Sequence, residues 1–369
     1  VCVNFIESLF KRNPRIVQDF YFVKIWYRCN VALRPNFNKQ VYKDGDIMIK
    51  GRDFDNLLNV IFSITKNNSD NQVLDSLFLN NDLTICLWNY LIFLQQKSLT
   101  NNKELILEIF KLYFTLVTSD SKVRLLLSIL DNLLIGLNNF PWIFDLEFND
   151  HDNDSNEVVT QSVCVKYQSF DTKEFKSGQT TKERIFDSIN MATDLYLIIL
   201  EQVDDSVIQE LFILILKRWL LKDGDGISQK LFIGEEEEKA VGYFKMLINL
   251  RLLQSMSLKF KDQINNNKNM TEILEIVDAV LANYKSNDNA KVMDANNEEE
   301  VDSDDEVDEI NEKTKNLLVE DDSGNNDDTV LTITLELLSS ILSENSSYQL
   351  IETAIIEKLD SIMDKLNLI

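Results

Sequence analysis

The chain has 369 residues, with 61 Asp and Glu against 37 Lys and Arg, for a formal net charge of −24. That balance argues against direct binding to a nucleic-acid backbone or to anionic lipid, because both require clustered cations. With 44% hydrophobic residues there is enough apolar surface for a large core, and only 3 Pro and 9 Gly are too few for a turn-dense β-sandwich or barrel, so an all-α fold is expected.

Val1–Leu33 reads as one or two helices. Pro14 stands where a second helix can begin, and Ile16, Phe20, Val23 and Tyr27 follow helical spacing as its apolar stripe. Arg34–Gly51 is a polar connection. Four apolar-periodic segments follow, Leu57–Ile64, Val73–Leu79, Leu83–Leu94 and Leu105–Val117, separated by clusters of Asn, Ser and Asp. Val123–Leu137 is a fifth, ending near Gly136 and Pro141. Asn149–Thr181 breaks the pattern and reads as a surface insertion with a short strand pair around Val158–Tyr167.

Ile185–Val203 is a strongly apolar helix, and Ser206–Lys222 follows after a break at Asp204–Asp205. Ser206 with Gln209 three residues on has the form of a capping box, and Ile208, Leu211, Ile215 and Trp219 make the inner stripe. Helices are expected from Glu236 to Met256, from Met270 to Tyr284, over Thr329–Leu342 and over Leu350–Leu366. Helix pairs recurring at about 40 residues are the building unit of HEAT and armadillo solenoids, so a helical-repeat solenoid is the expected architecture, with a closed bundle as the alternative.

Between Asn287 and Asp328 the chain carries 17 Asp and Glu against 3 Lys. Self-repulsion at that density, with few apolar residues, predicts a disordered acidic insertion within the helical sequence. It serves either as a solvating spacer or as a docking segment for a basic partner. The candidate regulatory and docking residues lie here: Glu298, Glu299, Glu300, Ser303, Asp304, Asp305 and Glu306. Ser303 followed by three acidic residues is the pattern that acid-directed kinases prefer, and a phosphate there would deepen the negative field.

No catalytic signature emerges. The single histidine, His151, lies between Asp150 and Asp152, but the segment lacks the Gly and the twelfth-position Glu of a calcium loop. Asp223–Gly226 fails in the same way. No glycine-rich phosphate cradle occurs, so no metal, cofactor or catalytic residue is expected and the chain reads as non-enzymatic. Cys2, Cys29, Cys86 and Cys164 have no partner at metal-binding spacing and are expected as free thiols. Trp26, Trp88, Trp142 and Trp219 are read as packing residues, with an exposed peptide groove as the alternative. No apolar run approaches the ~20 residues of a membrane span. The chain starts at Val1 and not Met, which reads as a piece of a longer protein.

Lys245–Tyr284, with Met-Leu followed by Leu-Gln-x-Met and then a helix bearing an Ile-x-x-Val stripe, resembles one family. So does Thr329–Leu368, with Thr-Leu-x-Leu-Leu-Ser-Ser-Ile-Leu. This is the conserved core of the armadillo-type family required for nuclear transport of RNA polymerase II, whose metazoan members are named for transport and Golgi organisation. Leu211–Leu221 is similar to the helix that precedes that core. The resemblance covers about the last 170 residues. Before it, periodicity and polarity give N-terminal helical repeats over 1–148 and the polar insertion over 149–181. Repeats of the family core would cover 182–286, the acidic linker 287–328, and a C-terminal helical hairpin 329–369. The resemblance implies an adaptor whose partners are RNA polymerase II subunits or assembly factors and the nuclear transport machinery. Such an adaptor would be cytoplasmic and would shuttle to the nucleus. A secretory-pathway trafficking or tethering factor is the alternative.

Overall fold

The computed structural model describes residues 2–30, 42–79, 83–133, 142–148, 161–167, 178–220, 248–264, 271–278 and 362. They are mostly helical, with one small antiparallel sheet. Two compact units are distinguished, Val1–Ile208 and Gln209–Ile369. The acidic segment 287–328, His151, and the helices expected over Thr329–Leu342 and most of Leu350–Leu366 lie outside the described residues.

The first unit begins with α1 (Cys2–Arg12) and α2 (Pro14–Val17), the latter started by Pro14 at its first turn, where a missing N–H costs nothing. A π turn (Gln18–Phe22) then runs directly into α3 (Val23–Asn30). Its widened coil is marked by the amide of Val23 donating to the carbonyl of Gln18, five residues back. The helices α4 (Gly51–Asn67), α5 (Asn71–Leu79), α6 (Leu83–Gln96), α7 (Asn101–Leu116) and α8 (Ser119–Asp131) form the body of the unit. All five coincide with apolar-periodic segments of the sequence. α6 is the central one. It is buried on every side, from Leu83 through Leu94 at eleven positions, because α5, α7, α8, α3 and α9 all pack against it. A helix apolar all round has no face to give to water and belongs in the middle. Its C-terminus is closed by Ser98 in the left-handed conformation (φ 55°), with the amide of Leu99 donating to the carbonyl of Leu94.

One small sheet accompanies the helices, and its middle strand falls where alternation over Val158–Tyr167 leads a short strand to be expected. β1 (Ile47–Ile49) lies in the polar connection, β2 (Trp142–Phe148) precedes the expected insertion, and β3 (Gln161–Tyr167) lies inside it. The order is β1-β3-β2, antiparallel throughout, with Phe144 opposite Val165 and Trp142 opposite Tyr167. Val163, Cys164 and Val165 of the middle strand are all buried, as a strand covered on both faces requires.

The ring of Phe144 ties the sheet to the helices. It meets Phe54 of α4 at 5.4 Å and Tyr90 and Phe93 of α6 at 4.9 and 5.9 Å between centroids, with Trp142 edge-on at 5.1 Å. At the start of α4 the sheet comes so close that a Cβ on Gly51 would fall onto the side chain of Ser162. α9 (Gly178–Leu200) lies against α6 and α7, and its Tyr196 hydroxyl donates to the carbonyl of Leu126 at 3.0 Å.

The division between units falls within α10 (Asp205–Leu220). The capping box expected at Ser206 and Gln209 does not form. The helix starts one residue earlier, and the carbonyl of Asp204 accepts from the amides of Val207 and Ile208. Within the second unit, Gln209 donates instead to the carbonyl of Gln263 at 2.7 Å, and Lys217 pairs with Glu272 at 2.7 Å. These bonds tie α10 to the helical residues 248–264 and 271–278. Leu211, Ile215 and Trp219 are buried, as the sequence stripe required, along with Leu252, Met256, Ile273 and Val277. Among the described residues no single helix is long and apolar enough to cross a membrane.

Candidate functional site

Several described polar groups of the first unit join its elements to one another. Asp75 of α5 accepts from the Tyr113 hydroxyl at 3.1 Å and the Ser121 hydroxyl at 2.7 Å, so one carboxylate links α5, α7 and α8. Burial first, and the Asp75 charge second, push the Tyr113 phenol well above its ordinary value, leaving it a permanent donor. Asn102 does the same work between α7, α4 and α6, donating to Asp55 at 3.0 Å and to the Tyr90 oxygen at 2.7 Å. Lys122, buried on α8, bonds the carboxylate of Asp204. That bond holds the Asp204 carboxyl below its usual range. Asp145 and Lys166 pair across β2 and β3 at 2.6 Å. Each of these groups has a partner of fixed geometry on a neighbouring element, which is how polar groups fasten one element to another. No group of three or more His, Cys, Asp and Glu is placed to hold a metal ion among the described residues. Cys86 and Cys164 are buried free thiols.

The feature that needs a functional reading is on the outside. The π turn advances the chain by one extra residue, so Val17, Phe22 and Ile25 all point inward. The inner side is fixed to α5: Gln18 donates to the Ser76 hydroxyl at 2.8 Å, and the Trp26 indole donates to the carbonyl of Leu77 at 2.9 Å. The residues at Ile16, Phe20, Val23 and Tyr27, read from the sequence as the stripe of this helix, are therefore on the solvent side. Their exposures are 38, 64, 41 and 41%. Phe5 of α1, 54% exposed, meets the half-exposed Tyr21 edge-on at 6.4 Å and extends the patch across two elements.

The surroundings of the patch are cationic. The first thirty residues hold five Lys and Arg and only two acids, Glu7 and Asp19, in a chain of net charge −24. Glu7 is turned away to accept from the amide and hydroxyl of Ser69, and Lys11 reaches Asp70 at 3.7 Å. No ion pair forms between Arg12, Arg15, Lys24 or Arg28 and any described carboxylate. A contiguous exposed patch of large rings rimmed by charge marks an interaction surface more often than an accident of packing.

Of the residues singled out in the sequence, Glu298, Glu299, Glu300, Ser303, Asp304, Asp305 and Glu306 lie outside the described residues. Trp88, Trp142 and Trp219 are buried, and Trp26 is held against α5, so the tryptophans pack the interior and do not line a groove. The patch at the N-terminus was missed by helical periodicity, which finds an apolar stripe but not the side it faces. The readable signal was the local excess of cations in an anionic chain.

No protein-family model matches the chain, and no solved structure matches it. Among curated proteins it is similar to the RNA polymerase II assembly factor RTP1 of Saccharomyces cerevisiae, with 26% identity over 402 aligned residues. The alignment covers 99% of this chain and 37% of that protein, so the chain spans little more than a third of its relative's length.

Proposed function

We propose that this chain is part of a non-enzymatic helical scaffold that serves the assembly of RNA polymerase II. The observation that carries the reading is the similarity to an RNA polymerase II assembly factor, which runs through nearly the whole chain. Two further observations support it. Several part-buried polar groups join helices, and an apolar patch on the described part of α1 to α3 is turned outward, as a protein-binding surface must be.

In this reading the helices belong to an armadillo-like or HEAT-like solenoid, and polymerase subunits or their assembly factors bind along it. Segment 287–328 is a linker that tunes affinity for basic partners, with Ser303 as its phosphorylation site. The protein works in the cytoplasm and accompanies its cargo toward nuclear import. Affinity purification of the full-length protein with mass spectrometry tests this. Polymerase subunits and nuclear-pore proteins are the expected partners, whereas coat and Golgi proteins in their place overturn the reading in favour of secretory traffic. Deleting 287–328 tests the linker: unchanged partner affinity and unchanged salt dependence reduce it to a spacer.

A further inference from the structure

The exposed row on α2, the π turn and α3 is not uniform. At four-residue spacing it reads Ile16, Phe20, Lys24, Arg28, two apolar side chains followed by two cations, all on the solvent side. Phe5 and Tyr21 widen the apolar end. The row runs twelve residue steps from Ile16 to Arg28, or about 18 Å at a helical rise of 1.5 Å per residue, which is about three turns of a facing helix.

We infer that this row is a docking surface for an acidic amphipathic helix of a protein partner, which seats apolar side chains against Ile16, Phe20 and Phe5 and carboxylates against Lys24 and Arg28. The inference rests on the scaffold reading above and names the chemistry of one partner. Charge selects the occupant. Lys24 and Arg28 have no ion pair to a described carboxylate, so an incoming acid meets cations that are free to pair. A second copy of the chain would bring the same two cations against its own, and each copy carries a net charge of −24. Single-stranded nucleic acid also uses rings and cations, but two cations on the row are too few to track a phosphate backbone, whereas they match the two carboxylates of one helix face. An apolar ridge at four-residue spacing is the shape that another helix meets by ridge-into-groove packing.

The test uses the full 369-residue chain and a fluorescein-labelled, helix-forming peptide of sixteen residues, with Leu at two positions four apart and Glu at the next two positions of that row. Binding is read by anisotropy across a salt series. Binding by the wild type, weakened about tenfold by Phe20→Ser and by a Lys24→Glu/Arg28→Glu pair, is expected. A peptide with Lys in place of Glu should prefer the charge-reversed pair. All three side chains are exposed, so circular dichroism and melting temperature should be unchanged, and a variant that unfolds is replaced by Phe20→Gln or Lys24→Gln.

Equal binding by wild type and variants overturns the inference. So does tighter binding of an RNA oligonucleotide lost through the same substitutions, or a dimer in sedimentation that Phe20→Ser dissolves. The two readings fail separately. If polymerase subunits co-purify equally with wild type and with the Phe20→Ser chain, the docking surface falls and the scaffold stands. If the wild type binds the peptide through this row but captures no polymerase subunit, the scaffold reading falls and the surface stands.

Discussion

The backbone amide of Gly51 donates to Oε2 of Glu147 at 2.7 Å, so a carboxylate from β2 caps the first turn of α4. Lys50, the residue before that helix, offers no side-chain cap of its own. Glu147 thus satisfies an otherwise orphaned donor and places negative charge at the positive end of the helix. Glu147→Ala is expected to lower stability by about 1 kcal/mol. Glu147→Gln, which keeps an acceptor, is expected to cost less. Gly51→Ala is expected to cost more than either, because the added methyl group meets Ser162 and drives strand and helix apart. Urea unfolding followed by circular dichroism ranks the three.

Phe144 brings the sheet into contact with aromatics from both α4 and α6. Phe144→Ala should remove about 3–5 kcal/mol, the usual cost of an aromatic-sized cavity. The lost contacts belong to the first unit, so the urea midpoint read by probes in α4 and α6 should fall. A small shift would mean that the sheet is peripheral to the core of that unit.

Ser98 occupies the left-handed region at the end of α6, where a Cβ is strained. Ser98→Gly should raise stability by about 0.5–1 kcal/mol, the strain relieved less the extra freedom of the unfolded chain. The measurement is the urea midpoint at constant slope. A fall in the midpoint would show that the serine side chain contributes more than its backbone costs.

Two aspartates should respond to acid in opposite directions. The Lys122 ammonium holds the Asp204 carboxyl below its ordinary value. The stability from this pair is present above the unfolded carboxyl value near 4 and is lost as the pH falls through the lower folded value. Asp204→Asn should therefore lower the melting temperature at pH 7, with the difference closing in acid. Asp55 is the reverse case, since burial raises its carboxyl despite the bond from Asn102. Its folded state takes up the proton first, so acidification toward pH 4 relieves a penalty. Asp55→Asn keeps an acceptor for Asn102 and should raise the melting temperature at pH 7, with the gain shrinking as the pH falls. Thermal melts of both variants from pH 3 to 7 check the two signs.

The helices of the first unit were legible because each pairs an apolar face with polar punctuation. Asn67–Asn71 and Thr100–Asn102 stand where α4 ends and where α7 begins. The strands were harder to see. Trp142 and Phe144 alternate with Ile143 and Asp145, but β2 finds its partner only at Gln161–Tyr167, and β1 pairs with a strand more than a hundred residues away. Local pattern does not contain such long-range pairing. The false capping box at Ser206 has a tertiary cause as well, because Lys122 fixes Asp204 at the start of α10 and Gln209 is drawn to Gln263. The surface on α1 to α3 was hidden by its own regularity. Ile16, Phe20, Val23 and Tyr27 satisfy the helical period, whereas the buried set Val17, Phe22, Ile25 begins with a step of five that an unbroken α-helix does not make.

That step of five has an evolutionary corollary. A chain shorter by one amino acid between Gln18 and Phe22 would wind as plain α-helix, with Val17 and Phe22 four positions apart and still on one face. Ile16 would stay on the side of Lys24 and Arg28, and Val17 would keep its place against the interior. Related sequences could thus gain or lose the π turn through a single-codon insertion or deletion while both the buried side and the outer row persist.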